Sequence, residues 1–177
     1  MKRLSLLLAA SFSLFAFNAF AQKPVAKQAA NKMSNMPYKV ENTNLKFGNS
    51  MYAMQVLQAW KAWDDNELDK ATGMFADDIW GTMADGTVVK GKEAFVNGGK
   101  EYRNNFSSVS SVIHACTTLK SAEHPENDVV VIWGTETDVK KDGTTQKSAI
   151  HEVWFFNKAG KVFEFHQYAA PVKEEMK

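Results

Sequence analysis

Between Ser148 and Tyr168 the chain combines groups that can do chemistry with an apolar setting: His151, Glu152, His166 and Gln167 sit among Ile150, Val153, Trp154, Phe155, Phe163 and Phe165. A carboxyl held among aromatic side chains loses hydration, which disfavours the anion and raises the pKa. An acid still protonated near neutral pH donates a hydrogen bond or acts as general acid, and a partly raised one acts as base. Glu152 is therefore the candidate catalytic residue, with two readings open. It is either a catalytic or ligand-orienting carboxyl in an apolar pocket, or a structural carboxyl satisfied by Gln167, Thr135 or a Trp N–H. Two histidines directly across a ladder can share a metal, with Glu164 or Glu136 as further ligands. The commoner meaning of histidines on such a face is an interface edge, and no metal is assigned.

The elements that would position these groups follow from the pattern. Two runs rich in β-branched and aromatic residues flank Asn157-Lys158-Ala159-Gly160, which reads as a hairpin. With Asn157 opposite Gly160, Glu152 faces Phe165, Ile150 faces Gln167 and His151 faces His166. Alternation puts Ile150, Glu152, Trp154, Phe163, Phe165 and Gln167 on one face and His151, Val153, Phe155, Glu164, His166 and Tyr168 on the other. Taken as a two-residue turn, Asp142-Gly143 sets Trp133 opposite Glu152 and Thr135 opposite Ile150. Glu152 would then lie in a wall of Trp133, Thr135, Trp154, Phe165 and Gln167, where large flat rings suit apolar, aromatic or sugar-like ligands.

The first residues read as a separate segment. Met1-Lys2-Arg3, the apolar run Leu4 to Phe17 and Ala19-Phe20-Ala21 form a signal peptide over 1–21 with cleavage expected after Ala21, so the mature chain would be periplasmic or secreted with no membrane span. Removing Lys2 and Arg3 leaves 19 basic against 20 acidic residues. That near-neutral balance without a basic cluster gives no reason to expect a nucleic-acid partner. Cys116 is the single cysteine, which rules out an intramolecular disulfide and reads as a small buried hydrophobe. No Gly-rich phosphate loop, nucleophile elbow or H-E-x-x-H is present, so no cofactor is implied.

Residues 22–47 read as a flexible lead-in. From Ser50 the spacing of Ala53, Met54, Val56, Leu57, Trp60 and Trp63 predicts an amphipathic helix to about Asp64, and Asn66 is placed to cap a second helix carrying Leu68, Ala71, Met74 and Phe75. Asp77-Asp78 then reads as a helix-end pair. Ile79 to Ala84 and Thr87 to Lys90 flank an Asp85-Gly86 turn, and Gly91-Lys92-Glu93-Ala94 opens a third helix ending near Phe106. Four longer strands follow, about 109–121, 128–140, 145–156 and 161–169, and residues 171–177 look solvated. The plan is α+β: a curved antiparallel sheet rolled into a cone, with three N-terminal helices over its concave face.

Met74-Phe75-Ala76-Asp77-Asp78, the Asp85-Gly86 hairpin, Gly91-Lys92-Glu93-Ala94 and the closing Trp154 to Val162 run together resemble the nuclear transport factor two-like superfamily, in particular its SnoaL-like branch, over a domain of residues 48–170. The resemblance implies an open-mouthed cone, a dimer through the convex sheet face with Val153, Phe155, His151 and His166 in it, and functions ranging from isomerases, cyclases, dehydratases and epoxide hydrolases to plain binding modules. Threaded onto the ketosteroid isomerase branch, its tyrosine position falls on Ala59, its base position on Met83 and its acid position on Glu152. Alanine donates no hydrogen bond and a thioether abstracts no proton. The expected function is therefore binding of a small apolar or aromatic molecule around Glu152, with Trp133, Gln167, Phe165, Trp154, Thr135, Met83 and Trp60 as ligand contacts. The alternatives are a cyclase, isomerase or dehydratase using Glu152 as acid or base, and a dimeric interaction module.

Overall fold

The structure, a computed structural model, describes residues 37–172. The expected signal peptide, most of the lead-in and the charged end of the tail lie outside the described residues. Among those described, the order is β1 (Leu45–Phe47), α1 (Ser50–Asp64), a 3-10 helix (Leu68–Met74), β2 (Phe75–Thr82), β3 (Val88–Lys90), α2 (Lys92–Arg103), β4 (Phe106–Ser121), β5 (Asp128–Lys140), β6 (Thr145–Phe156) and β7 (Val162–Pro171).

Asn49 starts α1, its side chain accepting from the Met51 N–H at 3.0 Å, which satisfies one of the helix's orphan donors. The buried stripe of α1 is Val56, Ala59, Trp60 and Ala62, with Trp63 half-buried beside it. It lies against Val130, Ile132, Ile150, Trp154, Phe156, Val162 and Phe165 from the sheet, and Ala71, Phe75 and Ile79 close the same core. Met54, expected on the apolar stripe, is exposed.

The seven strands form one sheet in the order β1-β4-β5-β6-β7-β2-β3. It is mixed rather than wholly antiparallel, because β2 runs parallel to β7, with Trp80 opposite Glu164 and Gly81 opposite Phe165. Parallel neighbours cannot be joined by a tight hairpin, and here α2 and the whole β4–β6 meander separate the two strands in sequence. Two further expectations change. The segment after α1 is a short 3-10 helix without a side-chain cap, and Asn66 sits in the left-handed region at φ 58° instead of capping it. Asp77 and Asp78 lie exposed within β2 instead of closing a helix.

The register turns on loop length. The β5–β6 loop is three residues, Lys141-Asp142-Gly143, closed by Gly143 N–H to Lys140 O at 2.9 Å and Lys140 N–H to Thr144 O at 2.8 Å, with Gly143 at φ 86°. One residue more than a two-residue turn shifts the pairing by one, and one step exchanges the two faces. Ile132 thus faces Glu152, and Trp133 faces His151. The β6–β7 loop, Lys158-Ala159-Gly160, is also three residues, with Gly160 at φ 69°. There a β-bulge beside Phe155 and Phe156 adds a second step, so Glu152 faces Gln167 and Trp154 faces Phe165. Two slips restore the original face assignment from Glu164 onward, whereas Phe163, expected beside Glu152, is the unpaired bulge residue and packs on Phe155 of the convex face.

Candidate functional site: the acidic wall of the concave face

Glu152 points into the concave side and is 6% exposed. Three N–H groups converge on its carboxyl: Trp60 Nε1 donates to Oε2 at 2.5 Å, Trp154 Nε1 to the same oxygen at 3.1 Å, and Gln167 Nε2 to Oε1 at 2.9 Å. Burial pushes its pKa up to about 7, and the hydrogen bonds from Gln167, Trp60 and Trp154 limit the rise by stabilising the anion. Trp60 reaches this position because β5 carries Gly134 beneath it. A Cβ there would lie 2.7 Å from Trp60 Cζ3. Around the carboxyl, Trp154 and Phe165 meet at 4.6 Å, Phe95 and Phe165 at 5.4 Å and Phe75 and Phe95 at 5.1 Å between ring centroids, so the rings pack against one another.

One turn further along α1, Trp63 repeats the arrangement. Its Nε1 donates to Glu136 Oε2 at 2.7 Å. Asp138, two residues on along β5 and thus on the same face, is 3% exposed, and its Oδ1 has no hydrogen-bond partner. Burial, then the charge of Asp138, push Glu136 up to about 8; Trp63 pulls it down and Glu152 adds to the rise. Burial also raises Asp138, opposed by a hydrogen bond from Glu136 and by the charge of Arg103. A protonated Glu136 donating to Asp138 accounts for both directions. Arg103, buried at the end of α2, spends its guanidinium on the backbone carbonyls of Trp63 (2.8 Å), Asp64 (3.0 Å) and Phe106 (3.2 Å). The Asp64 carboxylate accepts from Ser111 N–H at 3.1 Å and Ser111 Oγ at 2.8 Å. Two acids on one wall, Glu152 and Glu136, thus face aromatic N–H donors, with Asp138 beside them and the hydrogen bonds of the nearby guanidinium directed at backbone.

Of the residues expected around Glu152, the structure brings together Trp60, Trp154, Phe165 and Gln167, while Met83 is half-buried at the edge of the same core. Trp133 and Thr135 are not there. The one-residue shift of β5 against β6 places them on the convex face, where Trp133 stacks on His151 with centroids 4.9 Å apart and Thr135 Oγ1 meets His114 Nε2 at 2.8 Å. The same shift moves Glu136 from the convex side, where it was weighed as a metal ligand, to the concave wall. His151 faces Tyr168 rather than His166, and His166 bonds Glu164 at 2.8 Å, so the two histidines are not cross-strand partners. No group of three or more His, Cys, Asp or Glu positioned to hold a metal ion occurs among the described residues. Cys116, half-buried, directs its Sγ toward Ala53 O at 3.8 Å, and burial raises its pKa. Open surface grooves lie outside the cone: one of about 570 Å³ between α1 and the 3-10 helix, with Ala59, Ala71 and Lys161 in its lining, and one of about 510 Å³ beside Trp80 and Val88.

No family model matches the sequence, and no curated protein matches it. Solved structures do match in three dimensions. An NTF2-like protein of unknown function from Exiguobacterium sp. 255-15 superposes with a TM-score of 0.54 at 11% identity, over 67% of this chain and 99% of the other. The chain has an NTF2-like fold. An LEH-like epoxide hydrolase from M. tuberculosis matches this chain at TM-score 0.54 and 12% identity, over 68% of this chain and 84% of the other. A Catenulispora acidiphila protein with a ketosteroid isomerase-like fold gives 0.51 at 16% identity, over 64% and 83%. The expected three-helix cone is therefore the observed architecture. Within it, Ala59 is buried on α1, where it offers no donor.

Glu136, Asp138, Trp63 and Arg103 are the members of this wall that the sequence reading did not assign to it. Glu136 and Asp138 follow Val130, Ile132 and Gly134 at every second position of β5, so alternation identifies them once the loop length is known. Arg103 carries no such signal, since its role is set by carbonyls distant in sequence.

Proposed function

We propose that this NTF2-like domain is an exported protein that binds a small apolar or aromatic molecule against the concave wall around Glu152, without rapid turnover. The observation that carries this reading is the Glu152 carboxyl itself, buried among aromatic rings and held by three uncharged donors. An acid kept in an apolar interior without a paired cation costs stability, and acids shifted in this way concentrate at functional sites. Gln167 is half-buried and its Nε2 donates to Glu152. Trp60, Trp154, Phe165 and Met83 supply the apolar contacts. Native mass spectrometry of the protein purified from its own host tests the reading. A retained small-molecule mass, lost in a Trp154→Ala variant that remains folded, is expected; protein that never carries such a mass contradicts it.

A second reading is favoured by the position of Glu152 near pH 7: an enzyme of the cyclase, isomerase or dehydratase type using Glu152 as general acid or base. Given a substrate, Glu152→Gln decides it, since unchanged turnover removes Glu152 from the mechanism. We also propose that the convex face, with Val153, Phe155, His151 and His166 half-buried and Trp133 and Tyr168 exposed, forms a homodimer. Export is tested by cell fractionation, with recovery only in the cytoplasm as the contrary result.

A further inference from the structure

The pair Glu136 and Asp138 lies beyond the Glu152 contacts, on the same wall, at the end of the cone closed by the last turns of α1 and α2. Asp138 is 3% exposed, and its Oδ1 is without a partner. Glu136 is half-buried and is reached by a single donor, Trp63 Nε1. The charged and titratable groups that act on this pair from neighbouring elements are Asp64 on α1, Arg103 and Tyr102 on α2, and Glu152 on β6; Asp85, in the β2–β3 loop, acts on Tyr102. All but Arg103 and Tyr102 are acids, and all three guanidinium nitrogens of Arg103 are engaged by backbone carbonyls. Two neighbouring buried carboxylates both ionise only at a cost, which the charge of Arg103 reduces at Asp138. In the protein alone, burial favours keeping a proton on the pair.

Beside the pair stand two rings. Trp63 and Tyr102 lie nearly parallel, with centroids 6.2 Å apart; Trp63 is half-buried and Tyr102 is 56% exposed. Anionic oxygens next to aromatic surface are the combination that recognises an organic ammonium ion.

We propose that Glu136 and Asp138 form a binding site for a small organic ammonium ion, whose apolar part rests against Trp63 and Tyr102. The proposal names a ligand class for the concave wall and rests on the reading that this wall binds small molecules. Binding is a proton exchange: the ammonium enters with one positive charge and one proton leaves to solvent. Affinity therefore rises with pH until the pair is fully ionised.

The test uses benzyltrimethylammonium, whose charge is fixed, and neutral benzyl alcohol, titrated calorimetrically into the intact protein. The expected result is that the cation binds with release approaching one proton at pH 7, read from buffers of different ionisation enthalpy. Its affinity should rise severalfold from pH 6 to 8.5 and fall about tenfold in a Glu136→Gln, Asp138→Asn double variant. These replacements keep shape and remove repulsion, and circular dichroism verifies the fold. Tyr102→Ala, at an exposed position, should also weaken the cation. If benzyl alcohol binds as tightly as the cation, the ammonium site is wrong while an apolar pocket stands. Cation binding unchanged in the double variant, or without proton release, also overturns the proposal. If neither probe binds, the ammonium site falls and the Glu152 reading is decided by native mass spectrometry.

Discussion

At Glu152 the geometry explains how an acid survives inside an aromatic core: Trp60, Trp154 and Gln167 supply three N–H bonds that replace water without neutralising the charge. Trp60→Phe keeps the ring and removes the shortest of these donors. The variant should lose about 1–3 kcal/mol of stability in urea denaturation, and its Glu152 should titrate higher than in the wild type. Much of this environment was legible in the sequence. Alternation put Glu152, Trp154, Phe165 and Gln167 on one face, and Gln167 and a Trp N–H were already among the partners weighed. Trp60 as donor was not singled out, because no local signal says which indole of α1 reaches which acid. Glu136 and Asp138 were hidden for a different reason, since their face depends on a loop one residue longer than expected.

The elements that hold the wall are governed by close approach and by pairing parity. Gly134 leaves room for Trp60, so Gly134→Ala should push the indole off Glu152 and cost about 1–3 kcal/mol. A thermal melt together with loss of the Trp60 indole signal from its wild-type position would show it; a variant as stable as wild type with that signal unmoved would contradict the account. Arg103 ties the end of α1 to the start of β4 through three carbonyls. Arg103→Met should therefore loosen α1 and accelerate amide exchange at Trp63 and Asp64. The two hairpins show why strand existence was readable while register was not. The runs of β5, β6 and β7 carry their own alternation, but whether Asp142-Gly143 closes as two residues or three is decided by the left-handed glycine and its bulge. In β5–β6 that choice turned Trp133 and Thr135 outward. In β6–β7 the bulge beside Phe155 undid it, so the expectation for Phe165 and Gln167 survived although their partners changed.

For the molecule as a whole, the raised acids set how stability varies with pH. Glu152 moves from 4.5 to about 7 and Glu136 from 4.5 to about 8, and Asp138 moves in the same direction. The folded protein then binds more protons than the unfolded chain between these limits. This contribution to stability is fully present below pH about 4.5 and is lost as pH rises through 7 and 8. At about 1.4 kcal/mol per unit, Glu152 alone accounts for about 3 kcal/mol, and Glu136 for a similar amount reduced by its partial exposure. In urea denaturation across pH 5–9, Glu152→Gln should flatten the decline up to about pH 7, and Glu136→Gln should reduce it up to about pH 8. On the opposite surface, Trp133, His151 and Tyr168 form a row across β5, β6 and β7. If this face joins two copies, sedimentation at micromolar concentration should show a dimer and Tyr168→Glu a folded monomer; a wild-type monomer would remove the interface.

The central claim is that Glu152 faces inward, bonded to two indoles and holding its proton near neutrality. Indole N–H resonances followed by heteronuclear NMR from pH 4 to 9 test it directly, because an acceptor that changes charge shifts the donors bound to it. Trp60 and Trp154 should move together with a midpoint near 7, a step that Glu152→Gln should abolish. A common midpoint near 4.5, or no shared transition for Trp60 and Trp154, would contradict the claim.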